Sequence, residues 1–297
     1  MRKRRHSGSA EYDVTPYSVF QRFEAAGSQS VRHKPMIHGL LEVDVTSARA
    51  ALREHELRTG EKLSFTAFLS ACLAKAVDEH KAVQAFRQGA RRLILFRDVD
   101  IATRVERDTG GKKFVTVHIL RAANRKTLRQ LHDEIRAAQT ADPRRMLTRG
   151  KLMSIWLFSL LPTVLYKPYF GAFAWMASRN PNLWKQTMGT VGITAVGMFG
   201  TGAGWGIPAT SPTSLMVTIG GIGEKQVIVD GRIDAREYLC LTISVDHDVI
   251  DGAPAARFIR RLKELIESGY GLSDALATSA QAEADSALRH KAGAARM

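Results

Sequence analysis

Strand and helix signals alternate along most of this chain. That order predicts an α/β fold of the α+β two-layer sandwich kind, a mixed sheet with flanking helices packed against it. Three observations carry the expectation: the alternation itself, helical segments that each have one apolar stripe to bury, and an apolar content of 45% in 297 residues. A chain of this size and composition has ample material for a core.

The elements follow in order. Met36–Val45 reads as a strand, and Thr46 as the cap of a helix running through Leu57. Across Ser64–His80, Phe65, Phe68, Leu69, Cys72, Leu73 and Val77 fall at helical spacing. Leu93–Arg104 and Lys113–Leu120 read as strands, with Asp108, Gly110 and Gly111 as turn signals between them. Thr127–Ala138 is an amphipathic helix with Leu128, Leu131 and Ile135 on one stripe. Thr190–Val196, Ser214–Gly220, Gln226–Val229 and Glu237–Val245 are predicted strands, and Ala253–Glu267 a closing helix. Residues 1–10 and 271–297 read as a basic tail and a flexible C-terminal tail around one folded unit over residues 11–270.

Charge and cysteine usage bound the function classes. The net charge is +14, starting with Arg2, Lys3, Arg4 and Arg5. The plain reading is a solvated surface and basic tail; the alternatives are anionic, phosphate-bearing ligands or an acidic membrane surface. No nucleic-acid-binding signature accompanies it. Cys72 and Cys240 match no metal or redox spacing, which implies no metal and a cytoplasmic setting.

Residues 152–178 interrupt the pattern with a long apolar run whose single charge is Lys167. Pro162 and Pro168 break it. Three readings stand: two short helices buried against the unit or a second copy, a helix pair lying on a membrane, and a span. The insert is bounded at about 145–185.

The richest stretch is 239–252, LCLTISVDHDVIDG, where a strand delivers His247 to its end and Asp251 and Gly252 follow. A lone histidine there is an ordinary polar residue, and its neighbours change the reading. GTVGITAVGMFG (189–200), TSPTSLMVTIGGI (210–222), VDGRI (229–233) and LTISVDHDVIDGAPAARFIRRLKELIESG (241–269) resemble the catalytic domain of the 2-oxo acid dehydrogenase acyltransferases. That family in turn resembles chloramphenicol acetyltransferase. A weaker likeness covers 36–46, 63–80 and 97–120.

The resemblance implies a chloramphenicol-acetyltransferase-like, trimer-forming fold that moves acyl groups between coenzyme A and dihydrolipoamide or another acceptor. It makes His247 the general base, Thr194 the oxyanion donor, and Asp251 one half of a structural ion pair with an N-terminal arginine, for which Arg22 is the candidate. Gly252 then serves the turn into the following helix. An imidazole with a reference pKa near ~6.5 suits removal of a thiol proton. Coenzyme A is implied as substrate. This chain shows no lipoyl-bearing segment, so a stand-alone catalytic domain served by a separate lipoyl-bearing protein is expected. Ala195 replaces a family asparagine, Thr210-Ser211-Pro212 an Asn-Pro-Pro sequence, and Gly111-Lys112-Lys113-Phe114-Val115-Thr116-Val117 a Gly-Leu-x-Val-Pro-Val region. These departures bear on the acyl group and acceptor. The rival readings are an enzyme acting on a small hydroxyl or amine, and a non-catalytic scaffold docking on a membrane or partner through residues 152–178.

Overall fold

The computed structural model describes residues 34–89, 91–109, 112–140, 165–197 and 201–277. Arg22, both outer tails, Gly110, Gly111 and residues 141–164 lie outside the described residues.

The main sheet is built from β1 (Met36–Asp44), β4 (Ile101–Thr109), β5 (Lys112–Leu120), β6 (Val191–Ala195), β7 (Leu215–Val229) and β8 (Arg232–Asp246). Its order is β1-β8-β7-β6-β4-β5, and a separate hairpin joins β2 (Phe86–Gln88) to β3 (Arg92–Ile94). β6 runs parallel to both β4 and β7, while the other neighbours are antiparallel, so the sheet is mixed as expected.

Strand parity decides which residues meet the helices. On β8 Leu239, Leu241, Ile243 and Val245 enter the core, as do Leu215, Val217 and Ile219 on β7. The helices α1 (Thr46–Thr59), α2 (Phe65–Glu79), α3 (Leu128–Thr140) and α6 (Gly252–Glu267) supply the second layer. Phe68, Leu73, Leu131, Phe258 and Leu262 are among the large side chains they bury almost completely. Between α3 and α6 lie α4 (Tyr166–Arg179) and α5 (Pro181–Met188).

Helix ends follow local chemistry. Ser64 Oγ accepts from the Ala67 amide and starts α2. Thr46 does not cap α1: Val45 occupies the cap position, and the Thr46 hydroxyl accepts the Glu237 amide from β8 instead. Asn180 caps α5 through two amides, with Pro181 at its first position.

The structure revises several boundaries. Leu93–Arg104 is two strands, because the Val99 and Asp100 carbonyls bond Ala123 and Thr190 rather than a sheet neighbour. Ser214–Gly220 and Gln226–Val229 are one strand with a register shift between Ile219 and Ile222. There the chain needs Gly220 and Gly221: a Cβ on them would lie 2.1 Å from the Gly204 carbonyl oxygen and 2.0 Å from that of Gly202. The C-terminal tail begins later than 271. Left-handed glycines at 269 and 271 reverse the chain, and residues 272–277 form a helical turn that buries Leu272 and Ala275. Finally, residues 166–179 of the apolar insert form one helix, and Pro168 sits in its first turn, where a missing amide proton costs little. Among the described residues no helix is long and apolar enough to cross a membrane.

Glu61 ties α1 to α3. Its carboxylate accepts from Arg129 and reaches the buried His55 at 3.3 Å. The hydrogen bonds from Arg129 hold the carboxyl down to about 2, against partial desolvation. The folded carboxyl is more acidic than the unfolded one, so its stabilisation is complete above about pH 4.5 and is lost as the pH falls toward 2. Glu61→Gln should therefore flatten the fall in unfolding free energy over that window, read by urea titration at successive pH values. Phe258, fully buried and edge-on to the His80 ring, tests the core separately. Phe258→Ala should cost about 3–5 kcal/mol in the same measurement at neutral pH.

Candidate active site

β8 ends at Asp246, and the turn His247–Val249 carries the chain into α6. The parity that sends Val245 into the core turns Asp246 to the opposite face, where it is buried. There it brackets the turn. One carboxylate oxygen accepts the Asp248 amide, and the other lies 3.5 Å from the Lys34 ammonium. Lys34 also donates to the Pro212 carbonyl at 2.8 Å, and the His247 amide donates to the Pro35 carbonyl at 2.9 Å. Burial pushes the Lys34 pKa down, and the Asp246 charge opposes that shift. A second clamp, Arg87 to Asp248 at 2.6 Å, holds the turn from the side. Two backbone hydrogen bonds and two side-chain ion pairs thus hold the turn, while the His247 side chain stands exposed.

Asp251 occupies the cap position of α6, but its side chain makes no cap hydrogen bond and is exposed. Gly252 is the first residue of α6 rather than part of the turn. Its φ lies outside the left-handed region, and a Cβ there would meet nothing within 4 Å. Arg22, the expected partner of Asp251, is outside the described residues.

Thr194 lies half-buried on β6, in register with Thr218 on β7, which is in register with Thr242 on β8. This threonine row lies on the face away from the helices, beneath the loop at 201–206. Gly206 packs so close that a Cβ would reach Val196 and Thr218. His247 is five residues beyond Thr242 along β8, and Thr194 is two strands across. At about 3.3 Å per residue and about 4.8 Å per strand, the two side chains start on the order of 15–20 Å apart within one chain. A single chain therefore brings His247 together with Asp246, Asp248 and Lys34, but not with Thr194.

Sequence reasoning missed Lys34, Arg87, Asp246 and Asp248. Asp246 lay inside the quoted stretch, and the buried parity of its strand was a usable signal. Lys34 and Arg87 carried none, because their partners lie far away in sequence. Among the described residues no group of three or more His, Cys, Asp or Glu is placed to hold a metal ion.

The candidate site is thus an exposed histidine in the turn at the end of β8, held by the contacts of Asp246, Asp248 and Pro35. The family model described as 2-oxoacid dehydrogenases acyltransferase (catalytic domain) matches residues 10–152 and 179–272, and the chain belongs to that family. The match leaves out most of the apolar insert. The lipoamide acyltransferase component of the branched-chain alpha-keto acid dehydrogenase complex of Bacillus subtilis is 24% identical over 267 residues, covering 88% of this chain and 53% of that protein. The mitochondrial dihydrolipoyllysine-residue succinyltransferase component of the Saccharomyces cerevisiae 2-oxoglutarate dehydrogenase complex is 37% identical over 82 residues, covering 28% of this chain and 18% of that protein. The chain thus spans about half, or less, of the length of these relatives. A probable dihydrolipoamide acetyltransferase from Listeria monocytogenes superposes with a TM-score of 0.63 at 18% identity, covering 88% of this chain and 96% of that one. The cubic core of a pyruvate dehydrogenase multienzyme complex gives 0.62 at 20% identity, covering 92% and 98%. These likenesses establish the fold, which is the expected one.

The Lys34–Asp246 pair should contribute measurably to stability. Asp246→Asn keeps an acceptor for the Asp248 amide but leaves the lysine facing a neutral group, and should cost about 1–3 kcal/mol. A double-mutant cycle with Lys34→Met, followed by chemical unfolding, should return a non-zero coupling energy.

Proposed function

We propose that this protein is a coenzyme-A-dependent acyltransferase in which His247 is the general base and dihydrolipoamide, carried by a lipoyl-bearing protein, is the acceptor. The observation behind the reading is the mounting of His247. Its backbone is anchored by Pro35 and flanked by the Asp246 and Asp248 clamps, while the imidazole is left open to a second reactant.

In the forward direction the imidazole takes the proton of the acceptor thiol, and the thiolate sulfur attacks the thioester carbonyl of acyl-coenzyme A. A new carbon–sulfur bond forms, and the tetrahedral oxyanion receives a hydrogen bond from the Thr194 hydroxyl. The intermediate collapses by breaking its bond to the coenzyme A sulfur, which leaves with the proton held by His247. No redox change occurs.

The separation of Thr194 from His247 within one chain favours a site assembled from two copies, in a homotrimer or a multiple of three. Asp251, with Arg22 as its proposed partner, would then steady the start of α6 from the N-terminal segment. The exposed Leu165, Trp175 and Met176 would belong to any docking surface formed by residues 152–178 on a membrane or a partner.

His247→Ala should lower transfer from acetyl-coenzyme A to dihydrolipoamide by about 10²–10⁴-fold, and Thr194→Ala by about 10²–10³-fold. Co-expressed in one oligomer, the two variants should restore a substantial fraction of activity, because some boundaries then join an intact His247 to an intact Thr194. Mixed oligomers as inactive as their parents would overturn the shared site. Near-full turnover by His247→Ala would overturn the base.

A further inference from the structure

Directly behind the His247 turn lies a cavity of about 220 Å³. Its walls include Asp246, Asp248 and Val249, so it borders the turn on both sides of His247. Phe86, Phe96 and Trp184 supply aromatic walls. The Phe86 ring centroid lies 5.4 Å from that of Trp184 and 6.4 Å from that of Phe96.

The polar wall groups are nearly all satisfied by the protein. Lys34 is held by Pro212 and Asp246, Arg87 by Asp248, Thr213 by the Leu215 carbonyl and Ser214 by the Ala85 carbonyl. Gln84 is the exception. Its side chain is 1% exposed, and its Nε2 donates to the Phe96 carbonyl at 3.0 Å. Its Oε1 is buried with no hydrogen-bond partner. A buried acceptor left unmatched is costly, so the wall carries one unfilled demand for a donor.

Size and lining together describe an occupant. A cavity of roughly 150 Å³ lined by apolar side chains is known to accept benzene, so this one is large enough for a six-membered ring with a substituent. The aromatic walls suit stacking or edge contact with such a ring.

We infer that this cavity is the acyl-group pocket, and that it takes a ring-sized, mainly apolar acyl group bearing one hydrogen-bond donor, with that donor bound to Gln84 Oε1. The inference rests on the proposed acyltransferase activity, since only a thioester reacting at His247 would place its acyl group behind this turn. Transfer itself is the exchange already written: the acyl carbon exchanges one sulfur for another, and the proton passes from the incoming thiol to the outgoing one through His247.

The test compares acetyl-, benzoyl- and 4-hydroxybenzoyl-coenzyme A as probes, by calorimetric binding and by kcat/KM with dihydrolipoamide. The 4-hydroxybenzoyl thioester should be favoured over the benzoyl thioester by about tenfold or more in both measurements. Gln84→Met, which keeps the length of the side chain but removes the acceptor, should abolish that preference. Should Gln84→Met not fold, Trp184→Ala replaces it. By removing a ring wall, it should weaken both aryl thioesters relative to acetyl-coenzyme A. Transfer of acetyl with rejection of both aryl groups would overturn the pocket and leave the acyltransferase reading intact. Aryl thioesters that bind no more tightly than coenzyme A itself would also overturn the pocket. Gln84-dependent tight binding of the hydroxybenzoyl thioester, with no transfer from any thioester, would uphold the cavity as a ligand site and overturn the acyltransferase reading.

Discussion

The side-chain parity of β8 is the constraint on which the rest of this structure depends. A strand sends successive residues to opposite faces, so one choice of register determines a whole set. With Leu239, Leu241, Ile243 and Val245 committed to the helix layer, Thr242, Ser244 and Asp246 must lie on the other face. A slip of one residue would drive Asp246 into the core and expose four apolar side chains. β8 pairs with β1 on one side and β7 on the other, and both neighbours inherit the same parity. The turn that carries His247 starts where this strand stops, so the imidazole's position follows from hydrophobic burial many residues earlier.

Electrostatics then converts a strand end into a rigid mount. A turn at the edge of a sheet is ordinarily among the more mobile parts of a fold. Here the buried carboxylate of Asp246 faces the ammonium of Lys34, which is itself desolvated, so neither charge is well served by water. A pair in that state gains more from its partner than a surface pair would. Lys34 and Pro35, the two residues just before β1, are thereby pinned against the turn and become part of the site.

Backbone crowding shapes the opposite face. Gly220 and Gly221 mark the register shift of β7, and the loop at 201–206 lies directly on them, with the Gly221 amide donating to the Gly204 carbonyl at 2.8 Å. Any side chain there would lift the loop from the row formed by Thr194, Thr218 and Thr242. The Thr218 and Thr242 hydroxyls are buried without partners, so this row is a polar strip covered by apolar and backbone atoms rather than by other hydroxyls.

The amino-acid sequence by itself determined the alternation of elements, the helix stripes of α2, α3 and α6, and the position of His247 at a strand end, because these follow from local periodicity and turn chemistry. It also carried enough family likeness to single out Thr194 and Asp251. Tertiary structure alone decided three things. Residues 93–104 became two strands, because distant groups from 123 and 190 claimed the intervening carbonyls. Lys34, Arg87 and Gln84 joined the histidine turn and its cavity, though nothing in their local sequence distinguishes them from other surface or helix-end residues. Thr194 and His247 were set far apart in one chain, a consequence of strand order that no local pattern encodes. Periodicity is written in neighbours a few residues apart, whereas the site depends on pairings across tens to hundreds of residues, and only the folded sheet supplies those.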